Sequence, residues 1–169
     1  MAIVNGDKLK IVVFGAFDAG KSSFIRAVDP ASRHVEARTD GGMTTVALDF
    51  GRATIGNTRV FIFGTPGQER FEFVRGILSR GMDGAIVMVD ATHSVDVMTC
   101  DFCEWLHETG VPFVIMLNKC DLPGASPGMF ADLVGDGFVH CISALTGDQV
   151  HEALRLFVER LIRLRRKNK

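Results

Sequence analysis

Gly15-Ala-Phe-Asp-Ala-Gly20-Lys21-Ser22 spells G-x-x-x-x-G-K-S, and its flanks decide what that pattern means. The apolar run Leu9–Phe14 before it reads as a buried strand, and Ser22–Val28 after it reads as a helix. Backbone N–H groups grip a phosphate chain only at close range, so the bend needs residues without Cβ at its ends. Lys21 adds a point charge for the β- and γ-phosphates, and the Ser22 hydroxyl offers an oxygen to Mg²⁺. A helix opening directly after the loop contributes unpaired N–H donors and the positive end of its dipole. Strand, loop and helix in this order imply a nucleoside triphosphate site formed by Gly15, Asp18, Ala19, Gly20, Lys21, Ser22 and Ser23.

Outward from the loop, strand and helix signals alternate. Thr45–Ile55 and Arg59–Phe63 read as strands joined at a Gly56-Asn57 turn, after an irregular stretch. A short helix is expected over Glu72–Ser79. Gly84–Asp90 and Phe113–Leu117 are buried strands, and Phe138–Ile142 is the last one. Val95–Thr109 reads as a helix with Met98, Phe102, Trp105 and Leu106 on one face, stopped by Gly110. Asp121 to Gly137 reads as loop with one short helix. The final helix is expected to start from a capping box, Thr146-Gly-Asp-Gln149, with Val150, Leu154, Phe157, Leu161 and Leu164 as its core stripe. Such alternation implies a mostly parallel sheet with helices on both faces and one antiparallel edge strand. Ligands bind such a sheet at the carboxyl ends of its strands.

The chain has 169 residues, 47% of them hydrophobic, a net charge of −1 and a pI near 6.5. One domain over residues 1–169 is expected, ending in a short basic tail at 163–169. Nothing in the total charge points to nucleic acid. Met1–Gly6 lacks a secretory pattern, no stretch is long enough to span a bilayer, and neither terminus carries a lipidation motif. A cytoplasmic protein is expected. Cys100-Asp-Phe-Cys103 has no second ligand pair at zinc spacing, so these cysteines read as small hydrophobes. The scattered histidines carry no ligand spacing.

Asn118-Lys119-Cys120-Asp121 follows the Phe113–Leu117 strand, on the same rim as the phosphate loop. A carboxylate at Asp121 can accept from the ring N–H and exocyclic amine on one edge of guanine, donors that adenine does not offer in that arrangement. A site built for such donors rejects an analogue lacking them by ~10⁴. Asn118 would brace the loop and the Lys119 stem would cover the ring. Ser143-Ala144-Leu145, past the last strand, lets backbone amides approach the base oxygen.

With these motifs in order, the chain resembles a Ras-superfamily small GTPase along almost its whole length. The resemblance implies the P-loop NTPase fold with six strands, GTP and GDP as ligands, Mg²⁺ as cofactor, and a molecular switch. Thr45-Val-Ala-Leu-Asp49-Phe50 matches the family's T-x-x-x-D-F, which makes Thr45, or Thr44 in a shifted register, a ligand of Mg²⁺ beside Ser22. Arg38–Met43 before it, with paired glycines, suits a loop that rearranges. Phe63-Gly64-Thr65-Pro66-Gly67-Gln68-Glu69-Arg70-Phe71 resembles D-T-A-G-Q-E-R-F. By that match Gly67 gives its N–H to the γ-phosphate and Gln68 orients the attacking water, with Lys21 and Gly67 as catalytic partners.

Gly64 stands where the family has an aspartate behind the Mg²⁺. Losing such a partner costs about 10–100-fold in metal affinity, roughly 1.4–2.7 kcal/mol. Asp18, Asp40 and Asp90 are the candidates to compensate. The F-G-T-P-G-Q string resembles a bacterial and archaeal, MglA-like branch whose members work beside roadblock-type proteins. Phe17 replaces a glycine of the phosphate loop and could crowd Gln68, while Arg38 or Arg33 could supply an arginine in cis.

The resemblance therefore implies a monomeric regulatory GTPase, slow on its own, that controls a protein effector or meets an activator through its switch segments. The basic tail allows reversible contact with anionic lipid or simply complements the helix terminus. The rival readings are a non-hydrolysing guanine-nucleotide-binding interaction module and an ATPase or nucleotide kinase. Asn118–Asp121 argues against the last.

Overall fold

The computed structural model describes residues 6–38, 45–65, 76, 80–133 and 138–169. Among these, seven strands form one sheet: β1 (Lys8–Gly15), β2 (Arg33–Arg38), β3 (Thr45–Ile55), β4 (Thr58–Gly64), β5 (Gly84–Asp90), β6 (Phe113–Asn118) and β7 (Phe138–Cys141). Among the described residues, the helices with defined bounds are α1 (Lys21–Val28), α2 (Val97–Thr109) and α3 (Val150–Lys167), with a 3-10 turn at Pro127–Leu133. Strand order is β2-β3-β4-β1-β5-β6-β7. All but Gly76 of the expected Glu72–Ser79 helix lies outside the described residues.

The unbroken apolar runs occupy the middle of the sheet, where both faces are covered. Along β1 the period of two sorts side chains between two cores. Leu9, Ile11 and Val13 pack with Phe24 and Ile25 of α1 and Leu154, Phe157 and Leu161 of α3. Val12 and Phe14 point the other way, with Phe102, Trp105 and Leu106 of α2 and with Phe130. The Phe14 ring lies 5.1 Å from Phe102 and 5.6 Å, edge-on, from Trp105. Burying each such ring contributes about 1.5–3 kcal/mol. Cys103 belongs to this core, and burial foremost, with Cys100 beside it, pushes its thiol up to about 11.

The sheet corrects the expected six strands with one antiparallel edge strand. β2 is a seventh strand, and it forms the edge. β3, one place in, is antiparallel to both β2 and β4. Arg33-His-Val-Glu-Ala-Arg38 has too little apolar alternation to announce itself, because an edge strand covers little core. A polar edge also discourages pairing with other chains.

Two helix starts move as well. Asp96 caps α2, its carboxylate accepting from the Thr99 N–H at 2.7 Å, so that helix opens at Val97. Met98 is exposed, and Thr99 is buried instead. The capping box at Thr146 does not form. Gly147 and Gln149 have left-handed φ values of 83° and 60°, which no right-handed helix accommodates, and α3 begins at Val150. The Thr146 hydroxyl accepts from the Asp148 N–H at 3.3 Å, closing a turn. At the far end the helix runs on through Arg163 to Lys167, so the basic segment is mostly helical.

Candidate functional site

The parallel strands β1, β5, β6 and β7 end on one rim, and the loops leaving them hold most of the residues that the motifs single out. The phosphate loop leaves β1 at Gly15, where a Cβ would come 2.5 Å from the Met88 carbonyl oxygen of β5. The loop closes at Gly20, at φ 98°, where a Cβ would overlap the Asn118 side-chain nitrogen. Asp18 is exposed and left-handed, at φ 65°. Lys21 is buried and folds back over the loop, donating to the carbonyls of Gly15 at 2.6 Å and Ala16 at 2.9 Å. Burial pushes its ammonium down to about 8, against the attraction of Asp49.

Asn118 sits at the end of β6 and is only 3% exposed. Its amide nitrogen donates to the Ala19 carbonyl at 3.0 Å, and its oxygen accepts from the Ala144 N–H at 2.8 Å. One side chain thus ties the phosphate loop, the β6 loop and the Ser143–Leu145 loop together. In this arrangement the Ala144 amide is engaged by Asn118, and exposed Leu145 follows it on the rim. Ser143 is buried and its hydroxyl accepts from the Thr146 N–H at 3.3 Å.

Lys119 is also left-handed, at φ 65°, and its ammonium reaches Asp90 Oδ2 at 2.7 Å. Burial pushes the Asp90 carboxyl up, but hydrogen bonds from Lys119 and Thr92, with the Lys119 charge, outweigh this and hold it down at about 2. Asp121 is exposed on the following turn, where the Leu122 N–H donates to the Lys119 carbonyl at 3.1 Å. Asp90 therefore steadies the β6 loop; it is not at the Ser22 end of the site.

The other half of the rim is a cleft of 340 Å³ lined by Phe17, Lys21, Ser22, His34, Asp49 and Gly64, among others. Phe17 is 66% exposed at its mouth. The Ser22 hydroxyl donates to Asp49 Oδ2, and His34 Nδ1 lies 2.9 Å from Asp49 Oδ1. Hydroxyl and carboxylate are the hard oxygen donors that Mg²⁺ takes, so this donor set fits the ion. Thr65 is pinned to β1 through two bonds to the Val13 carbonyl, from its N–H at 3.0 Å and its hydroxyl at 3.1 Å. Thr45 opens β3 opposite Arg38. Thr44, Asp40, Gly67 and Gln68 lie outside the described residues.

The sequence profile of the elongation factor Tu GTP-binding domain matches residues 35–163. The chain belongs to this family of GTPase G domains. An uncharacterized protein of Methanocaldococcus jannaschii is 34% identical to this G domain over 116 residues, covering 69% of it and 73% of the relative. Translation initiation factor IF-2 of Christiangramia forsetii is 30% identical over 155 residues. That match covers 85% of the G domain but only 16% of the factor's length.

Two solved structures share the fold. The G domain of the T. maritima FeoB iron transporter superposes with a TM-score of 0.72 at 19% identity, covering 90% of this chain and 98% of that one. The Arl6 small GTPase of Trypanosoma brucei gives 0.62 at 23% identity, covering 92% and 98%. Guanine-nucleotide binding follows from the family. Asp49 is the residue that sequence reasoning passed over, although the two-residue turn at Gly56-Asn57 already counts it into register with Gly64.

Proposed function

We propose that this G domain is a small regulatory GTPase of the prokaryotic branch marked by F-G-T-P-G-Q, exchanging GTP and GDP states to control a protein partner. Gly15 and Asp18–Ser23 wrap the phosphates, Lys21 neutralises them, and Ser22 and Thr45 offer oxygens to Mg²⁺. That ion, when bound, spreads the charge developing on the β- and γ-oxygens. Asn118 sets the base loop, Lys119 and Asp121 take the guanine, and Ser143–Leu145 close the pocket. Gly67 and Gln68 meet the γ-phosphate and the attacking water.

The observation that carries this reading is Asn118. A buried amide that bonds both the phosphate loop and the Ala144 loop builds one continuous site for phosphate and base. An effector or activator, roadblock-type proteins among them, would read the segments around Thr45 and Gln68. We expect a monomer in the cytoplasm. In α3, Arg165 is engaged by Asp83 at 2.6 Å, which leaves Arg163, Arg166, Lys167 and Lys169 for reversible contact with anionic lipid.

Single-turnover GTP hydrolysis tests the enzyme reading. Unaided turnover on the order of 10⁻⁴–10⁻² s⁻¹ is expected, with a further loss in Gln68→Leu. The exposed Phe17 ring at the cleft mouth favours one alternative, a guanine-nucleotide-binding interaction module that does not hydrolyse. A wild type as inert as Gln68→Leu, with its partner present, would select that alternative.

A further inference from the structure

We propose that Asp49 is the magnesium-facing carboxylate of this G domain, supplying from β3 what small GTPases of the resembling family supply from position 64 on β4. The inference rests on the nucleotide reading above and goes beyond it by assigning the acidic group that the motif lacks.

Asp49 and Gly64 are directly opposed partners in the antiparallel β3–β4 pair. A Cβ built on Gly64 would lie 3.2 Å from Asp49 Cβ and 3.6 Å from Asp49 Oδ2. The Asp49 carboxylate thus fills the space into which a side chain at 64 would grow. The same Cβ would come 2.8 Å from Ile25 Cδ1, a methyl end that any side chain at 64 would have to turn aside. Two carboxylates on opposed residues would also repel each other. With glycine at 64, the Asp49 carboxylate has that space to itself and is the acid left at this end of the β3–β4 ladder.

The contacts of Asp49 fit the same role. P-loop NTPases hold Mg²⁺ between the hydroxyl of the loop Ser/Thr and an acidic residue on a neighbouring strand. Here the loop hydroxyl, Ser22, donates to Asp49 Oδ2. The other oxygen, Oδ1, faces His34 Nδ1 on β2, a contact that fixes the carboxylate's orientation as outer partners of metal ligands do. The candidates Asp90 and Asp18, and the nearby Asp29, are placed differently. Asp90 is held by Lys119 and Thr92, and Asp29 accepts from the backbone N–H groups of Ala31 and Arg52. Asp18 projects from an exposed, left-handed position of the loop.

The test is GDP binding to the full chain across a Mg²⁺ titration, with a parallel measurement in EDTA. Asp49→Asn is expected to raise the Mg²⁺ midpoint about 10–100-fold while leaving GDP affinity in EDTA unchanged. The double variant Asp49→Gly/Gly64→Asp, which returns the carboxylate to β4, is expected to recover Mg²⁺ sensitivity relative to Asp49→Gly alone. A midpoint unmoved in Asp49→Asn overturns the assignment, and so does an equal loss of affinity with and without Mg²⁺. A shift that follows Asp18→Asn or Asp90→Asn in place of Asp49→Asn overturns it too. These results leave the nucleotide reading standing. Only a wild type that takes up no GDP with Mg²⁺ in excess removes both.

Discussion

Asn118 at the end of β6 and Asp49 near the end of the β3–β4 ladder each hold one half of the site, and they do so differently. Asn118 is buried and bonds backbone on two other loops, so its geometry is set by the fold whether or not a ligand is bound. Asp49 is a partly exposed carboxylate, 20% open to solvent, whose partners are a serine hydroxyl and an imidazole that is itself 75% exposed. The proposed base side is organised by neutral, desolvated hydrogen bonds and the proposed cation side by charge near water. Loss of a buried partner strands polar groups, which is costly. Loss of an exposed charge changes ionic affinity and leaves the fold intact.

The largest expected effect tests the base side. Asp121 is exposed and carries no structural bond comparable with those of Asn118. Asp121→Ala should therefore fold normally yet erase a preference for GTP over ATP of up to ~10⁴. Competition of the two nucleotides for the site measures it. A variant that kept the preference would show that another group reads the base.

Asn118→Ala comes next and should damage both fold and binding. It leaves the Ala19 carbonyl and the Ala144 N–H without their partner, at about 1–3 kcal/mol each. Urea unfolding of the nucleotide-free protein should show a loss of roughly 2–6 kcal/mol. By contrast, Asp49→Asn should move the unfolding midpoint little. Equal losses in the two variants would erase the distinction between the halves.

Much of this was legible in the chain because the relevant signals are local. The G-x-x-x-x-G-K-S string, the apolar runs of β1, β5 and β6, and the Asn118–Asp121 tetrad each declare themselves within a few residues. What escaped depends on pairing across the sheet. β2 reads as irregular because a polar edge strand has no apolar period to detect. The helix expected from Thr146 fails because Gly147 and Gln149 turn left-handed, a choice made by the contacts of the Ser143 loop and invisible in a capping pattern. In the sequence Asp49 reads as a motif marker beside Phe50, whereas Asp18, Asp40 and Asp90 are the candidates to compensate at the cation. Register arithmetic from the Gly56-Asn57 turn places Asp49 against Gly64, which is how a long-range relation can be recovered from a short-range one.

Gly64→Ala sharpens the cation side at smaller cost. The added methyl would meet Ile25 Cδ1 and Asp49 Cβ, so overpacking of about 1–3 kcal/mol is expected in urea unfolding. Because the methyl also presses on the carboxylate, the Mg²⁺ requirement for GDP binding should rise together with that loss. An alanine that fits with neither change would mean that glycine at 64 is not needed to admit Asp49.

The smallest effect concerns an ionic tie on the base side, Asp90 with Lys119 at 2.7 Å, where His93 Nδ1 also lies 3.2 Å from the same carboxylate oxygen. The Asp90 carboxyl is held at about 2, below the ordinary 3.8. The folded protein therefore binds fewer protons than the unfolded chain between those values, and stability falls with falling pH across that window. The contribution of Asp90 is fully present above about pH 4 and is lost as pH drops toward about 2. The advantage of wild type over Asp90→Asn in urea unfolding should thus be constant from pH 7 to 5 and shrink as pH falls through 3. Parallel curves across that range would mean that the carboxylate gains nothing from Lys119. The left-handed turn at Lys119 would then be set by the backbone and Asn118 alone.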